Sequence, residues 1–400
     1  MKLAPLPFVL VMCLAEGLGM LSFSSFQALI PTFRADWGIS NSQAGWISGI
    51  YFAGYVVAVP VLSSLTDRID PRRVLFGSLA LGALASLGFA LLAEGPWSAL
   101  CFRALQGVGL AGTYMPGLKA LSDHIEGPAQ SRYVAFYTSS FGIGAAASYL
   151  LAGAITPDFG WQWAFAVNAI GSVAAVLLIV AVLPATAPTH AAPDTKLLDF
   201  RPVLRNRAAM GFILAYCGHN WELFAFRSWV VAFLVFAAAN DPGSAIAIDP
   251  TVIAAVLTLL GVPASILGNE AAARLGRIRL IVLITLSSIA LSLVLGAASA
   301  LSYGLVVALA LLYGALLTGD SGAITAGSVA AAAPGQRGAT LGMHAFIGFM
   351  GGVFGPATVG MVLDAAGGGG SVIGWALAIA AMGAGSAAAL AALLIARRKV

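Results

Sequence analysis

Twelve stretches of mostly apolar residues run through the chain, at approximately 8–31, 44–65, 73–94, 97–118, 132–155, 162–183, 208–236, 251–271, 279–299, 302–326, 338–363 and 372–396. A helix of about 20 such residues crosses the hydrocarbon core of a bilayer. Only 9% of the 400 residues are charged and 60% are hydrophobic, whereas a soluble domain carries about 25% charged residues to cover its surface. This chain cannot cover itself, so the lipid bilayer is its expected partner. The expected fold is an all-α membrane protein with twelve transmembrane helices, and Phe8 to Ile30 is read as a retained first span.

The basic residues test that count. With the N-terminus inside, 17 of the 20 Lys and Arg fall on the inner side: Lys2, Arg68, Arg72, Arg73, Lys119, Arg132, Lys196, Arg201, Arg205, Arg207, Arg274, Arg277, Arg279, Arg337, Arg397, Arg398 and Lys399. Positive residues favour the cytoplasmic side, and a wrong number of spans would scramble the partition. Both termini are therefore expected in the cytoplasm. The net charge of +4 reflects this topology and not a nucleic-acid-binding face. Trp37, Trp46, Trp97, Trp161, Trp163 and Trp375 gather near the expected outer ends, where amphipathic rings settle. A Pro-rich, basic segment over 184–207 separates six spans from six, so the chain divides into an N-terminal bundle (1–183), a cytoplasmic linker and a C-terminal bundle (208–400). Leu197 to Leu204 is expected as a short interfacial helix within the linker. Three cysteines, Cys13, Cys101 and Cys217, all inside spans, provide neither a disulfide framework nor metal-ligand spacing.

Glu16 and Glu222 lie 206 residues apart in spans one and seven, and the same offset separates Arg68 from Arg274. A charged residue at the bilayer centre costs about 2.5–3.5 kcal/mol on insertion scales. Two carboxylates at matching places suggest a duplicated unit whose halves present polar groups to a shared cavity. Arg103, Arg227 and Asp320 are the other charges firmly inside spans. Unpaired, the five would cost on the order of 15 kcal/mol, so they must meet water, one another or a solute.

Between spans two and three the chain reads Ser63-Ser64-Leu65-Thr66-Asp67-Arg68-Ile69-Asp70-Pro71-Arg72-Arg73, and span four carries Arg103-Ala104-Leu105-Gln106-Gly107-Val108-Gly109. These resemble the Gly-x-Leu-Ala-Asp-Arg-x-Gly-Arg-Arg and Arg-x-x-Gln-Gly-x-Gly motifs of the major facilitator superfamily, with Arg274-Leu275-Gly276-Arg277 as a degraded second copy of the first. The resemblance implies two pseudo-symmetric six-helix bundles with helices one, four, seven and ten lining a central cavity. All five intramembrane charges fall in those four helices. It also implies a cytoplasmic gate at Asp67, Arg68, Arg72 and Arg73, the Asp meeting the start of helix eleven. Here Ser63, Asp70 and Pro71 depart from the motif, and span five lacks the Gly-Pro pair associated with many drug antiporters.

Span seven is unusually polar. Helical spacing puts His219, Glu222 and Phe226 on one stripe and Asn220, Leu223 and Arg227 on another. Glu16, Glu222, Arg103 and Asp320 are the proton-coupling candidates. Arg103, Gln27, His219, Asn220, Trp221, Glu222 and Arg227 are the substrate-binding candidates, the two arginines suiting a carboxylate. The chain is therefore expected to be a secondary transporter working as a monomer, with protons and a small-molecule substrate as partners. Proton-coupled symport of a small organic solute is the main reading, an organic anion being slightly favoured. A proton-driven efflux antiporter is the alternative, and a transporter-fold sensor a remote one. No metal-ligand cluster, nucleophile motif or phosphate loop appears, so neither enzyme nor cofactor is expected. Gly and Ala richness suggests a bacterial inner membrane.

Overall fold

The computed structural model describes residues 4–66, 68–125, 130–185, 200–244, 248–334 and 336–398. Among these the secondary structure is helical. In chain order the first helices are α1 (Pro5–Gly19), α2 (Ser25–Ala28), α3 (Ile30–Trp37), α4 (Asn41–Leu65) and α5 (Pro71–Leu92). They are followed by α6 (Pro96–Ala111), α7 (Tyr114–His124), α8 (Gln130–Phe159) and α9 (Trp161–Val182). After the linker come α10 (Arg201–Arg205), α11 (Arg207–Asn240), α12 (Pro250–Leu275) and α13 (Arg277–Ala297). The last are α14 (Tyr303–Leu317), α15 (Ser321–Ala330), α16 (Arg337–Ala365) and α17 (Val372–Arg398).

Local chemistry sets the ends of these helices. Pro71, Pro96 and Pro250 stand in first turns, where a missing N–H costs nothing. Asp70, Asn206 and Asp249 cap α5, α11 and α12 by accepting from the backbone N–H of Arg72, Ala209 and Thr251. The Asp70-Pro71 pair that departs from the family motif thus forms the cap and first residue of α5. Gly160 (φ +84°) and Gly276 (φ +89°) make the turns into α9 and α13, a conformation that favours glycine.

Eleven helical segments among the described residues are long and apolar enough to cross a membrane. The remaining expected span, at 97–118, is α6 followed by α7, interrupted at Gly112–Thr113. Span one is also broken: α1 gives way to a 3-10 turn over Met20–Ser22 and then to the short α2 and α3. Span ten breaks at Thr318–Asp320, between α14 and α15. The expected interfacial helix is present as α10, whose Val203 is buried with Ile213 and Met343. Residues 197–199, most of the linker and Asp67 lie outside the described residues.

The helices pack as two units, one of residues 1–29 and 50–197, the other of residues 30–49 and 198–400. Residues 30–49 therefore pack with the second unit, although they precede most of the first in sequence. The reason is a close crossing of α4 and α16. A Cβ on Gly45 would lie 2.5 Å from the carbonyl oxygen of Pro356, and one on Gly49 or Gly360 would lie 2.2 Å from that of Val353 or Asn41. Small residues of this kind let helix backbones touch.

The start of α4 completes the crossing. Ser40 and Gln43 form a capping box, with Gln43 N–H donating to Ser40 Oγ and Ser40 N–H to Gln43 Oε1. The next free amides are satisfied from α16: Asp364 accepts from Asn41 N (3.1 Å), Asn41 Nδ2 (2.7 Å), Ser42 N (2.8 Å) and Ser42 Oγ (2.6 Å). A carboxylate at a helix N-terminus also meets its positive end. Asp364→Ala should cost about 1–2 kcal/mol, the value of a lost cap, and Asp364→Asn less. Thermal unfolding of the purified protein checks this, and an unchanged midpoint in Asp364→Ala would remove the cap from the account.

Candidate functional site

In the first unit, the break in span one frees backbone carbonyls that α1 would otherwise bond internally. Arg103, fully buried on α6, takes them. Its Nη1 donates to the carbonyl of Ser22 (2.8 Å) and to Gln106 Oε1 (2.9 Å), and its Nη2 to the carbonyl of Phe23 (3.2 Å) and to Gln27 Oε1 (3.3 Å). The guanidinium also sits 4.3 Å from the ring centre of Tyr51, a cation–π contact. Ser148 on α8 accepts the backbone N–H of Ser24 (2.9 Å) on the far side of the break.

A motif glycine, Gly107, and Gly54 of α4 bring the helix that carries Arg103 against α4. A Cβ on Gly107 would stand 1.8 Å from the Tyr51 carbonyl oxygen, and one on Gly54 would stand 2.1 Å from that of Ala104. The backbones of α4 and α6 are in direct contact there. Arg103 and Gln27, both expected at the solute, are thus engaged with each other and with span one.

Glu16, one turn before the end of α1, is 4% exposed. Tyr137 of α8 donates to its Oε2 at 2.9 Å, while Oε1 has no hydrogen-bond partner. Of the gate residues, Arg68 and Arg73 are exposed, and Arg72 reaches the carbonyl of Val180 at the end of α9.

In the second unit the polar face of α11 behaves as its spacing predicts. Glu222 is 3% exposed and sits among hydroxyls from three helices. Tyr313 (α14) donates to Oε1 at 2.7 Å, and Ser386 (α17) and Ser288 (α13) donate to Oε2 at 2.5 and 3.1 Å. Phe226, next on the stripe, packs edge-on against the ring of Tyr313 with centroids 4.7 Å apart. His219 Nδ1 lies 2.8 Å from Asp320 Oδ1, and Asp320 stands in the break of span ten. His219, Glu222, Asp320, Thr285, Ser288 and Ser386 line one cavity inside this unit.

The other stripe serves elsewhere. Arg227 extends towards Gly261 and Thr318 of neighbouring spans and does not line that cavity. Asn220 is buried and its Nδ2 has no hydrogen-bond partner. Trp221 is set in helix packing: its Nε1 donates to the carbonyl of Ala381 (3.2 Å), and Gly351, Gly355 and Gly385 face it across closely packed backbone. His344 is held by Ser328 (2.9 Å) and Thr325 (3.2 Å) under the ring of Tyr216.

The groups that sequence reasoning missed are the hydroxyls: Tyr137, Tyr313, Ser288 and Ser386. Each stands between 66 and 164 positions from the carboxylate it meets, Tyr137 and Ser288 within runs of hydroxyl residues and Tyr313 and Ser386 among apolar ones. Nothing local distinguishes them from packing residues.

Two relatives show how far the likeness extends. The niacin transporter NiaP of Acinetobacter baylyi is 26% identical over 160 residues, covering 40% of this chain and 36% of that protein. Human protein spinster homolog 1 is 26% identical over 243 residues, covering 57% of this chain and 45% of that protein. The match thus spans less than half the length of either relative. Among solved structures, a bacterial homolog of the human lysosomal transporter Spinster, inward-facing and unoccupied, superposes with a TM-score of 0.79 at 14% identity, covering 98% of this chain and 97% of that one. The nucleoside transporter NupG gives 0.80 at 14% identity, with 97% and 99% covered. At that identity the likeness is one of fold: twelve helices in two six-helix bundles. The model of the Major Facilitator Superfamily matches residues 12–356, and with both motifs and the fold in place, the chain belongs to that superfamily.

Proposed function

We propose that this protein is a secondary transporter that couples the movement of a small organic solute to that of protons. Two bundles, 1–183 and 208–400, joined by the 184–207 linker, would rock around a midplane site and expose it alternately to each side. Both termini and the linker would lie in the cytoplasm. A niacin transporter and a nucleoside transporter among the similar proteins support a small organic solute; the sequence slightly favours an organic anion, although Arg227 does not line the cavity beside Glu222. The N–H groups of Arg103 that bond span one point to a structural duty instead.

The observation that carries the reading is Glu222, a fully enclosed carboxyl in a membrane-spanning helix, ringed by three hydroxyls. A hydroxyl both donates and accepts. The ring can therefore serve the carboxylate by donating three hydrogens, or the acid by accepting its one. Proton gain and loss then need only hydroxyl rotation. Asp320 and His219 line the same cavity and can hold or pass a proton between them. Breaks in spans one and ten lie next to Glu16 and at Asp320, consistent with the discontinuous helices that form transport sites.

Reconstitution in proteoliposomes tests the proposal. Uptake of the solute should accelerate when an inward proton gradient is imposed and collapse when a protonophore dissipates it. Uptake indifferent to the gradient would sink the coupling. Solute expelled in exchange for entering protons would instead establish the antiport reading.

A further inference from the structure

Tyr137 has one hydroxyl hydrogen and three acceptors within reach. Its Oη stands 2.9 Å from Glu16 Oε2, 3.4 Å from the carbonyl oxygen of Thr113 and 3.4 Å from that of Tyr114. Thr113 and Tyr114 are where α6 ends and α7 begins, the break in span four. The side chain is 1% exposed, so water does not supply an alternative partner. Gly117, one turn into α7, makes the room: a Cβ there would lie 2.0 Å from Tyr137 Oη.

We propose that Tyr137 is a positioning residue that reports the protonation state of Glu16 to the break in span four. An ionised carboxylate only accepts hydrogen bonds, whereas a carboxylic acid also donates one. With Glu16 ionised, Tyr137 donates to it and the break carbonyls receive nothing from the hydroxyl. With Glu16 protonated, the acid O–H donates to Tyr137 Oη, and the phenolic hydrogen turns to Thr113 or Tyr114. The only covalent event is uptake of one proton from water by the carboxylate; everything else is reorientation of hydrogen bonds.

The ionisable groups around Glu16 and Tyr137 are Cys13 from α1, Tyr51 from α4, which also faces Arg103 of α6, and Tyr114 from α7, which neighbours Tyr137. None is a carboxylate, so Glu16 is the acid of the group. The helix that ends at this break, α6, also carries Arg103, which holds the break in span one about 14 Å further along the same helix. A proton on Glu16 thereby bears on the break in span four through one hydroxyl. This rests on the reading of Glu16 as a proton-carrying group.

A double-mutant cycle tests it, with amide hydrogen exchange read over residues 112–118 in lipid nanodiscs. The proteins are wild type, Glu16→Gln, Tyr137→Phe and the double variant, compared at one alkaline pH so that intrinsic exchange cancels. The Gln side chain donates as the acid would, so Glu16→Gln should slow exchange at the break severalfold. In the Tyr137→Phe background the same change should do nothing. Wild type should approach the Glu16→Gln pattern as pH falls, and Tyr137→Phe should not. An equal effect of Glu16→Gln in both backgrounds, or none in either, overturns the proposal. Should Tyr137→Phe not fold, Gly117→Ala, which displaces the hydroxyl without removing it, takes its place with the same expectation. Gradient-driven uptake separates the two levels. If Glu16→Gln transports like wild type, the proton-carrying role of Glu16 fails. If it loses coupling while the exchange cycle is additive, the role of Tyr137 alone fails.

Discussion

Glu222→Gln is expected to abolish accumulation of solute against its gradient while leaving exchange of solute for solute intact. A gradient of one pH unit is worth 1.36 kcal/mol per proton, about tenfold in concentration. Wild-type proteoliposomes should therefore concentrate solute roughly tenfold per pH unit for each coupled proton, and the variant should only equilibrate it. The amide has nearly the shape of the carboxyl, and Tyr313, Ser288 and Ser386 can rotate to meet it, so the fold should survive. What the amide cannot do is release a proton. Accumulation by Glu222→Gln equal to wild type would remove Glu222 from the coupling path and leave its hydroxyl ring as packing.

Arg103→Lys should be the most damaging conservative change in the chain. The planar guanidinium serves four acceptors at once, two of them carbonyls of an interrupted helix. An ammonium is a point charge without the rigid fork and cannot reproduce that geometry. Each buried acceptor left without a donor costs about 1–3 kcal/mol, so two or more orphans remove a large share of the 5–15 kcal/mol typical of a folded protein. The expected result is poor yield of monodisperse protein and a clearly lowered thermal midpoint, more so than for Glu222→Gln. Unfolding at the wild-type temperature would mean that the carbonyls of Ser22 and Phe23 find other donors, and that Arg103 is held for transport instead.

These predictions give different meanings to charges that look alike in sequence. Glu16 and Glu222 occupy matching places, 206 residues apart, yet Glu16 receives one hydrogen bond and Glu222 three. Spacing placed both on helices, and the crowding of His219, Asn220 and Arg227 around Glu222 already distinguished them. It could not supply the donors, which come from α8 in one case and from α13, α14 and α17 in the other. Arg103 shows the converse. Its motif and its apolar surroundings marked a residue with a duty, but what the duty bonds to depends on the break in span one. Gly17, Gly19, Ser22, Ser24, Ser25 and Pro31 stand at that break, but small residues of the same kind fill the unbroken α16, so composition alone does not place it.

Residues 30–49 are a second case. Order along the chain assigns them to the first half, whereas Gly45, Gly49 and Asp364 bind them to α16. Glycine spacing shows that some backbone comes close, not which one.

By itself, then, the amino-acid sequence determined the apolar spans and, through its motifs, the superfamily, and it supplied an expected topology and a short list of candidate charges. Those properties follow from the cost of placing each residue in lipid or water, a cost summed locally. The tertiary structure decided which helices are interrupted, which hydroxyls serve Glu16 and Glu222, and that Arg103 is committed to span one. Hydrogen bonds between helices act over about 3 Å and join residues as far as 164 positions apart, so only packing can choose them.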